Sequence, residues 1–216
     1  MDHYVASNED QYGPWRVGPA YPFMFHPAIS RTMDEKNIVF PVTAESFRGA
    51  NIIKTFYHPW ENDTQSPGPM RYPVEISELE IMLEEWQSGL DKLNSVVDGL
   101  TGRYRDNAEH LAALGKFIRN MIRTTIGIKR FFIANIRLQS ASHPGELKKE
   151  LDVIDRLLAD EKANVLDTFD VVEFDSRLGW EPRMGYVCDS WHLNWKLRQL
   201  AISQEEVRQY RQMIDL

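Results

Sequence analysis

Residues 106–139, DNAEHLAALGKFIRNMIRTTIGIKRFFIANIRLQ, decide how the rest of this chain must be arranged. The stretch has no proline, and Leu111, Leu114, Ile118, Met121, Ile122, Thr125, Ile128, Phe132 and Ile136 recur at steps of three and four. That spacing places them on one side of a 3.6-period helix. At about 1.5 Å per residue such a helix runs roughly 50 Å, more than one short neighbour can cover, so other helices must lie along it. The reading is of a structural spine, unbroken through Gly115 and Gly127, and not of a catalytic site.

On either side the same periodicity predicts further helices. After Pro73, Ser77 and Glu80 fit a capping box, and Ile76, Leu79, Leu83, Trp86, Leu90, Leu93 and Val97 form a stripe ending near Gly99 and Gly102. A third helix is expected from Glu146 to Phe174 on Leu147, Leu151, Ile154, Leu158, Val165 and Phe169. Gly179, Pro182 and Gly185 then interrupt helix. Asp189 can cap a fourth helix carrying Trp191, Trp195, Leu197 and Leu200, with Ser203 and Glu206 as a second capping box where it bends or restarts. Trp86, Trp191 and Trp195 read as core anchors.

Charge supports lateral packing. From Glu75 to Asp98 there are seven acidic residues and one lysine, whereas Arg103 to Arg137 holds eight basic residues against Asp106 and Glu109. Neighbours of opposite sign select which helix lies beside which, since each exposed pair contributes only about 0–1 kcal/mol. On this reading Arg119, Arg123, Lys129, Arg130 and Arg137 answer helix acids or lie solvated; the alternative is a basic groove for an anion.

The first third differs in kind. Nine of the eleven prolines precede residue 75, which rules out long helices there, while eleven aromatic residues between Tyr12 and Tyr72 rule out a polar linker. NIVFPV and NIIKTFY read as short extended segments and HPWENDTQSPGPMRYP as a loop. The predicted fold is therefore all-α: an antiparallel bundle of four long helices over 75–216, preceded by an irregular arm, rich in proline and aromatics, over 1–74. Part of the arm must pack on the bundle, and the remainder calls for another surface, in the form of a partner domain or a second copy.

Composition narrows function mainly by exclusion. With 216 residues, 43% hydrophobic and 26% charged, the chain resembles an ordinary globular protein, and a net charge of −7 disfavours nucleic acid. No apolar run is long enough to span a bilayer and no signal peptide is evident, so a cytoplasmic location is expected. The lone Cys188 offers neither a disulfide nor a zinc site, and no cofactor or metal is indicated. Ser190 and His192 are two apart on a helix and do not face one another. Trp60 beside Glu61 and Asp63 suits sugar stacking and hydrogen bonding, but an ordinary solvated turn, with Asn62 and Asp63 bonding local backbone, is the favoured reading. Asp175, Arg177, Trp180, Glu181 and Arg183 crowd the interruption before the last helix, where an arginine bonded to a carboxylate would fix the loop.

YGPWRVGPAYPF, NIIKTFYHPWEN, QSPGPMRYP, FIRNMIRTTIGIKR, DSRLGWEP and WHLNWKLRQ together resemble the C-terminal region of bacterial glycoside-hydrolase-like proteins related to family 20 hexosaminidases, over almost the whole chain. The resemblance implies a non-catalytic accessory region that supports or docks onto a catalytic (β/α)8 barrel. That barrel, with its acidic pair, is not among these residues, so no catalytic residue carries over and no glycosidase activity is expected from this chain alone. It further implies that the arm lies between barrel and bundle, with Trp15, Arg16, Tyr57, Trp60 and Glu61 at the rim of a carbohydrate cleft. A free-standing helical interaction module, such as a homodimer, is the competing expectation.

Overall fold

The structure is a computed structural model that describes residues 18–23, 25, 68–181 and 186–215, with the side chains of 68–71, 180, 181 and 186 excepted. Four long helices dominate the described residues: α1 Gly68–Val97, α2 Gly102–Ser140, α3 Pro144–Leu166 and α5 Ser190–Ile214, with a short α4 at Phe169–Phe174. A two-residue hairpin, β1 Trp180–Glu181 and β2 Tyr186–Val187, lies between α4 and α5. The bundle is antiparallel. Glu75 and Glu80 early in α1 meet Lys129 and Arg130 late in α2, Trp86 meets Gly115, and Asp98, just past the end of α1, faces Arg105 near the start of α2.

The spine forms as its periodicity predicts, as one 39-residue helix through Gly115 and Gly127, with α1 and α3 alongside. Ile118, Met121, Ile122, Thr125, Ile128 and Phe132 are buried. The ends of its stripe are not: Leu111 is 55% exposed, Leu114 39% and Ile136 36%. Periodicity finds the apolar face, but burial needs a neighbour along its whole length, and Leu111 and Leu114 lie before the part of the spine that α3 reaches, which begins at about Asn120, where Asn164 bonds the Asn120 carbonyl.

Four other local expectations are corrected. Helix α1 begins at Gly68, so Pro73 lies inside it and Ser77 caps nothing; of the expected loop, Gly68–Pro73 is helical. One hydrogen bond lost near a helix end is offset by the burial of Tyr72, whose ring meets Phe132 edge-on at 5.3 Å. The third helix divides at Asp167 and Thr168 into α3 and α4. Asp167 turns to Lys116 and Arg119, while the Thr168 hydroxyl donates to the Asn164 carbonyl one turn back, a bond that competes with regular helix. Ser203 starts no new helix, because α5 is continuous and Ser203 is buried. Trp191 is exposed, whereas Trp195 is buried and Trp86 half-buried.

Asp189 caps α5 as expected, accepting the His192 N–H at 2.9 Å. Gly179 is required by a close approach: a Cβ there would sit 1.9 Å from the Cys188 carbonyl oxygen. The extended segments NIVFPV and NIIKTFY lie outside the described residues. Of the described arm residues, Tyr21, Phe23 and Phe25 are buried on the bundle and Tyr72 is buried within α1, while Pro73 and Val74 of the same helix are exposed.

The unequal cover of α2 gives a direct test by substitution. Ile122→Ala, in the fully buried part, should lower unfolding stability by about 2–5 kcal/mol. Leu114→Ala should lower it by less than about 1 kcal/mol, because solvent already reaches that side chain. Urea denaturation of both variants measures the difference, and equal losses would place Leu114 in the core.

Candidate functional site

A polar centre lies within the apolar bundle. Along α2, Asn120 and Thr124 stand one turn apart; α3 contributes Glu161 and Asn164, and α5 contributes Lys196. Thr124 donates to the Glu161 carboxylate at 3.0 and 3.1 Å, and Asn164 Nδ2 donates to the Asn120 carbonyl at 2.9 Å and to the Thr124 hydroxyl at 3.0 Å. Asn120 Nδ2 in turn donates to Thr168 Oγ1 at 2.9 Å. Lys196 Nζ is 3.4 Å from Glu161 Oε1 and 4.0 Å from the Phe23 ring centroid, and donates to the Tyr21 carbonyl. Neither ion reaches bulk water, Lys196 being 0% and Glu161 3% exposed.

Burial sets their chemistry. It raises the Glu161 carboxyl to about 7, against the pull of Lys196 and the hydrogen bonds from Thr124, Lys196 and Asn164. The same burial lowers the Lys196 ammonium to about 8, opposed by Glu161. Glu161 forms part of the wall of a cleft of about 520 Å³ between α1, α2 and α3, together with Arg123, Arg130, Asp160 and Asn164. Of the other carboxylates there, Glu80 pairs with Arg130, and Asp167 with Arg119 and Lys116. A second buried pair, Lys129 and Glu75 at 2.7 Å, ties α2 to α1.

A different kind of cavity opens at the far end of the α1/α2 hairpin. This groove of about 470 Å³ is lined by Met82, Trp86, Leu90 and Leu93 of α1 and by Leu111, Leu114 and Ile118 of α2. Trp86 is fixed there by its indole N–H, which donates to the Gly115 carbonyl at 2.8 Å. Gly115 keeps the helices close, since a Cβ would lie 3.0 Å from Leu90 Cδ1. Glu85 stands at the rim.

Of the residues that the sequence nominated, Trp15, Arg16, Tyr57, Trp60, Glu61 and Arg183 lie outside the described residues. Asp175 and Arg177 form a bidentate pair at 2.8 and 2.6 Å, which with His110 nearby holds the Asp175 carboxyl well below the usual carboxylate range. The main chain of Trp180 and Glu181 forms β1. Ser190 and His192 do not act together: Ser190 donates to Glu173 at 3.0 Å, and His192 Nδ1 meets Asp189 at 2.5 Å. Among the described residues no group of three or more His, Cys, Asp or Glu is placed to hold a metal, and no helix is long and apolar enough to cross a membrane. No family model, curated protein or solved structure matches the chain.

Glu161 and Lys196 escape the sequence analysis because charge is weighed there only from Glu75 to Arg137, and the last two long helices are read from their apolar residues. Their signal was present as charges on apolar stripes, Glu161 between Leu158 and Val165, and Lys196 between Leu193 and Leu200. A charge held on the buried face needs a partner on a neighbouring helix.

These shifts predict a particular pH profile. Glu161, raised from 4.5 to about 7, contributes stability that is complete below pH 4.5 and lost as pH rises through about 7. Lys196, lowered from 10.5 to about 8, contributes stability that is present above pH 10.5 and lost as pH falls through about 8. The stability of the natural chain minus that of the Glu161→Gln/Lys196→Met double variant should therefore pass through a minimum between pH 7 and 8. A difference that stays flat from pH 4 to 10 would show that burial does not control the pair.

Proposed function

We propose that this chain is a non-catalytic helical docking module whose α1/α2 groove seats an amphipathic helix of a partner protein. The observation that carries the proposal is the groove itself, where Leu111 and Leu114 of the spine remain solvent-exposed beside Leu93 and Trp86. Apolar side chains gathered in a concave strip mark an interface far more often than isolated exposed ones do, and a groove between two helices suits a third helix with anchors three, four and seven residues apart. Charge selects the helix. With seven acids and one lysine from Glu75 to Asp98, and Glu85 on the rim, α1 favours basic flanks on its partner and disfavours a second copy of itself.

The motifs that resemble glycoside-hydrolase-like proteins supply the finer reading. In it the docking helix belongs to the outer helical ring of a catalytic barrel, and the arm residues Trp15, Arg16, Tyr57, Trp60 and Glu61 reach a carbohydrate at the barrel rim. That identification rests on the sequence motifs, and as a statement of function it is analogy.

Titration with a synthetic helical peptide, leucine-faced with lysine flanks, tests the docking surface. The emission of Trp86 should change on binding, Leu114→Glu should weaken binding at least about tenfold, and a glutamate-flanked control should bind more weakly. Absence of binding, or a concentration-dependent dimer that Leu114→Glu dissolves, would overturn the proposal. The barrel of a resembling glycoside-hydrolase-like protein should compete with the peptide. If it does not while the peptide still binds, docking stands and the barrel is not the partner.

A further inference from the structure

The segment Gly18–Phe25 is held on the bundle as a bound peptide is held. A turn, with Tyr21 N–H donating to the Gly18 carbonyl at 2.8 Å, sets its start. From there α5 reads its main chain. Gln199 Oε1 accepts the Phe23 N–H at 2.9 Å, Gln199 Nε2 and Ser203 Oγ both donate to the Phe23 carbonyl, and Lys196 Nζ donates to the Tyr21 carbonyl. Lys196, Gln199 and Ser203 are three and four residues apart, one face of a helix. Gln199 thus offers an acceptor to the N–H and a donor to the carbonyl of one residue, as a neighbouring strand would.

Two aromatic side chains anchor the segment. Phe23 is fully buried, its ring 5.1 Å from that of Phe131 and beneath the Lys196 ammonium. Its cavity exists because residue 127 is glycine: a Cβ there would lie 3.0 Å from Phe23 Cζ. Phe25, also fully buried, meets Tyr210 edge-on at 6.0 Å. Aromatic anchors two residues apart suit an extended ligand, and hydrogen bonds to main chain hold it independently of the side chains it carries.

We infer that the α2/α5 face is a receptor for an extended peptide with aromatic residues at alternate positions, and that Gly18–Phe25 is its resident and exchangeable ligand. Two forces oppose one another beneath the segment. Burial of the two phenyl rings favours docking, while closure over Lys196 and Glu161 removes both ions from water and disfavours it. A segment held by the difference between two large contributions opens more readily than the helices under it, and a competing peptide then finds both aromatic cavities and the α5 hydrogen-bonding groups vacant. This face is distinct from the α1/α2 groove, and the inference does not depend on what that groove binds.

The test uses the full chain carrying Phe23→Ala and Phe25→Ala, with a fluorophore-labelled peptide of sequence GPAYPFMF as probe. Anisotropy should show saturable binding to the variant, at least about tenfold weaker binding to the natural chain, whose site is filled, and loss of binding when Gly127→Val closes the Phe23 cavity. A folded variant that does not bind the peptide would overturn the inference. Should the variant fail to fold, native-state hydrogen exchange on the natural chain decides. The Phe23 amide exchanging at least about tenfold faster than those of Ile122 and Leu200 supports an exchangeable ligand, and exchange at their rate, through global unfolding only, overturns it.

Discussion

The mismatch in length between α2 and its neighbours governs this molecule. The spine has 39 residues and α3 has 23, and α3 lies along the later part of the spine. Over that part α2 has α1 on one side and α3 on another, and its residues from Phe117 to Leu138 are mostly buried. Among the described residues α1 is its one long neighbour over its first turns, and the short α4 touches it near Lys116. One apolar stripe therefore meets two fates. Where α3 lies alongside, the stripe from Ile118 to Phe132 is core, and where no described helix besides α1 accompanies it, Leu111 and Leu114 floor a groove.

Much of the fold was legible because an amphipathic helix must place its apolar face against something. The four long helices, their antiparallel order and the Asp189 cap all follow from spacing, cap residues and charge. What was not legible was decided in three dimensions. Nothing local distinguishes Leu114 from Ile122, because both sit at helical spacing, and only the reach of α3 separates them. Pro73 argues against helix locally, yet the burial of Tyr72 on Phe132 outweighs one lost hydrogen bond. Thr168 reads as an ordinary helical residue until its hydroxyl is seen bonded to Asn164 and Asn120. Lys196 and Glu161 were visible as charges on apolar faces, but their pairing joins helices far apart in the chain.

Magnitudes separate what stabilises this bundle from what specifies it. Surface pairs such as Arg208 with Glu205 are screened by solvent and contribute little, whereas a buried Phe131 or Ile122 contributes about 1.5–3 kcal/mol through its apolar area alone. The apolar core supplies the stability. The ion pairs act on register: Lys129 and Glu75 at 2.7 Å, fully out of water, tolerate no slip between α1 and α2 that would strand either charge. Arg211, facing Asp152 and Asp155 at 2.9 and 2.8 Å, sets α5 against α3 in the same way at lower cost.

The central claim is that the groove between α1 and the first turns of α2 is a docking surface for a helix. Methyl NMR of the full chain, recorded with the leucine-faced, lysine-flanked peptide, locates binding most directly. The account predicts shifts concentrated at Leu90, Leu93, Leu111, Leu114 and Ile118, with Leu151 and Leu200 unmoved. Shifts centred on α5, or spread evenly over the bundle, would contradict it.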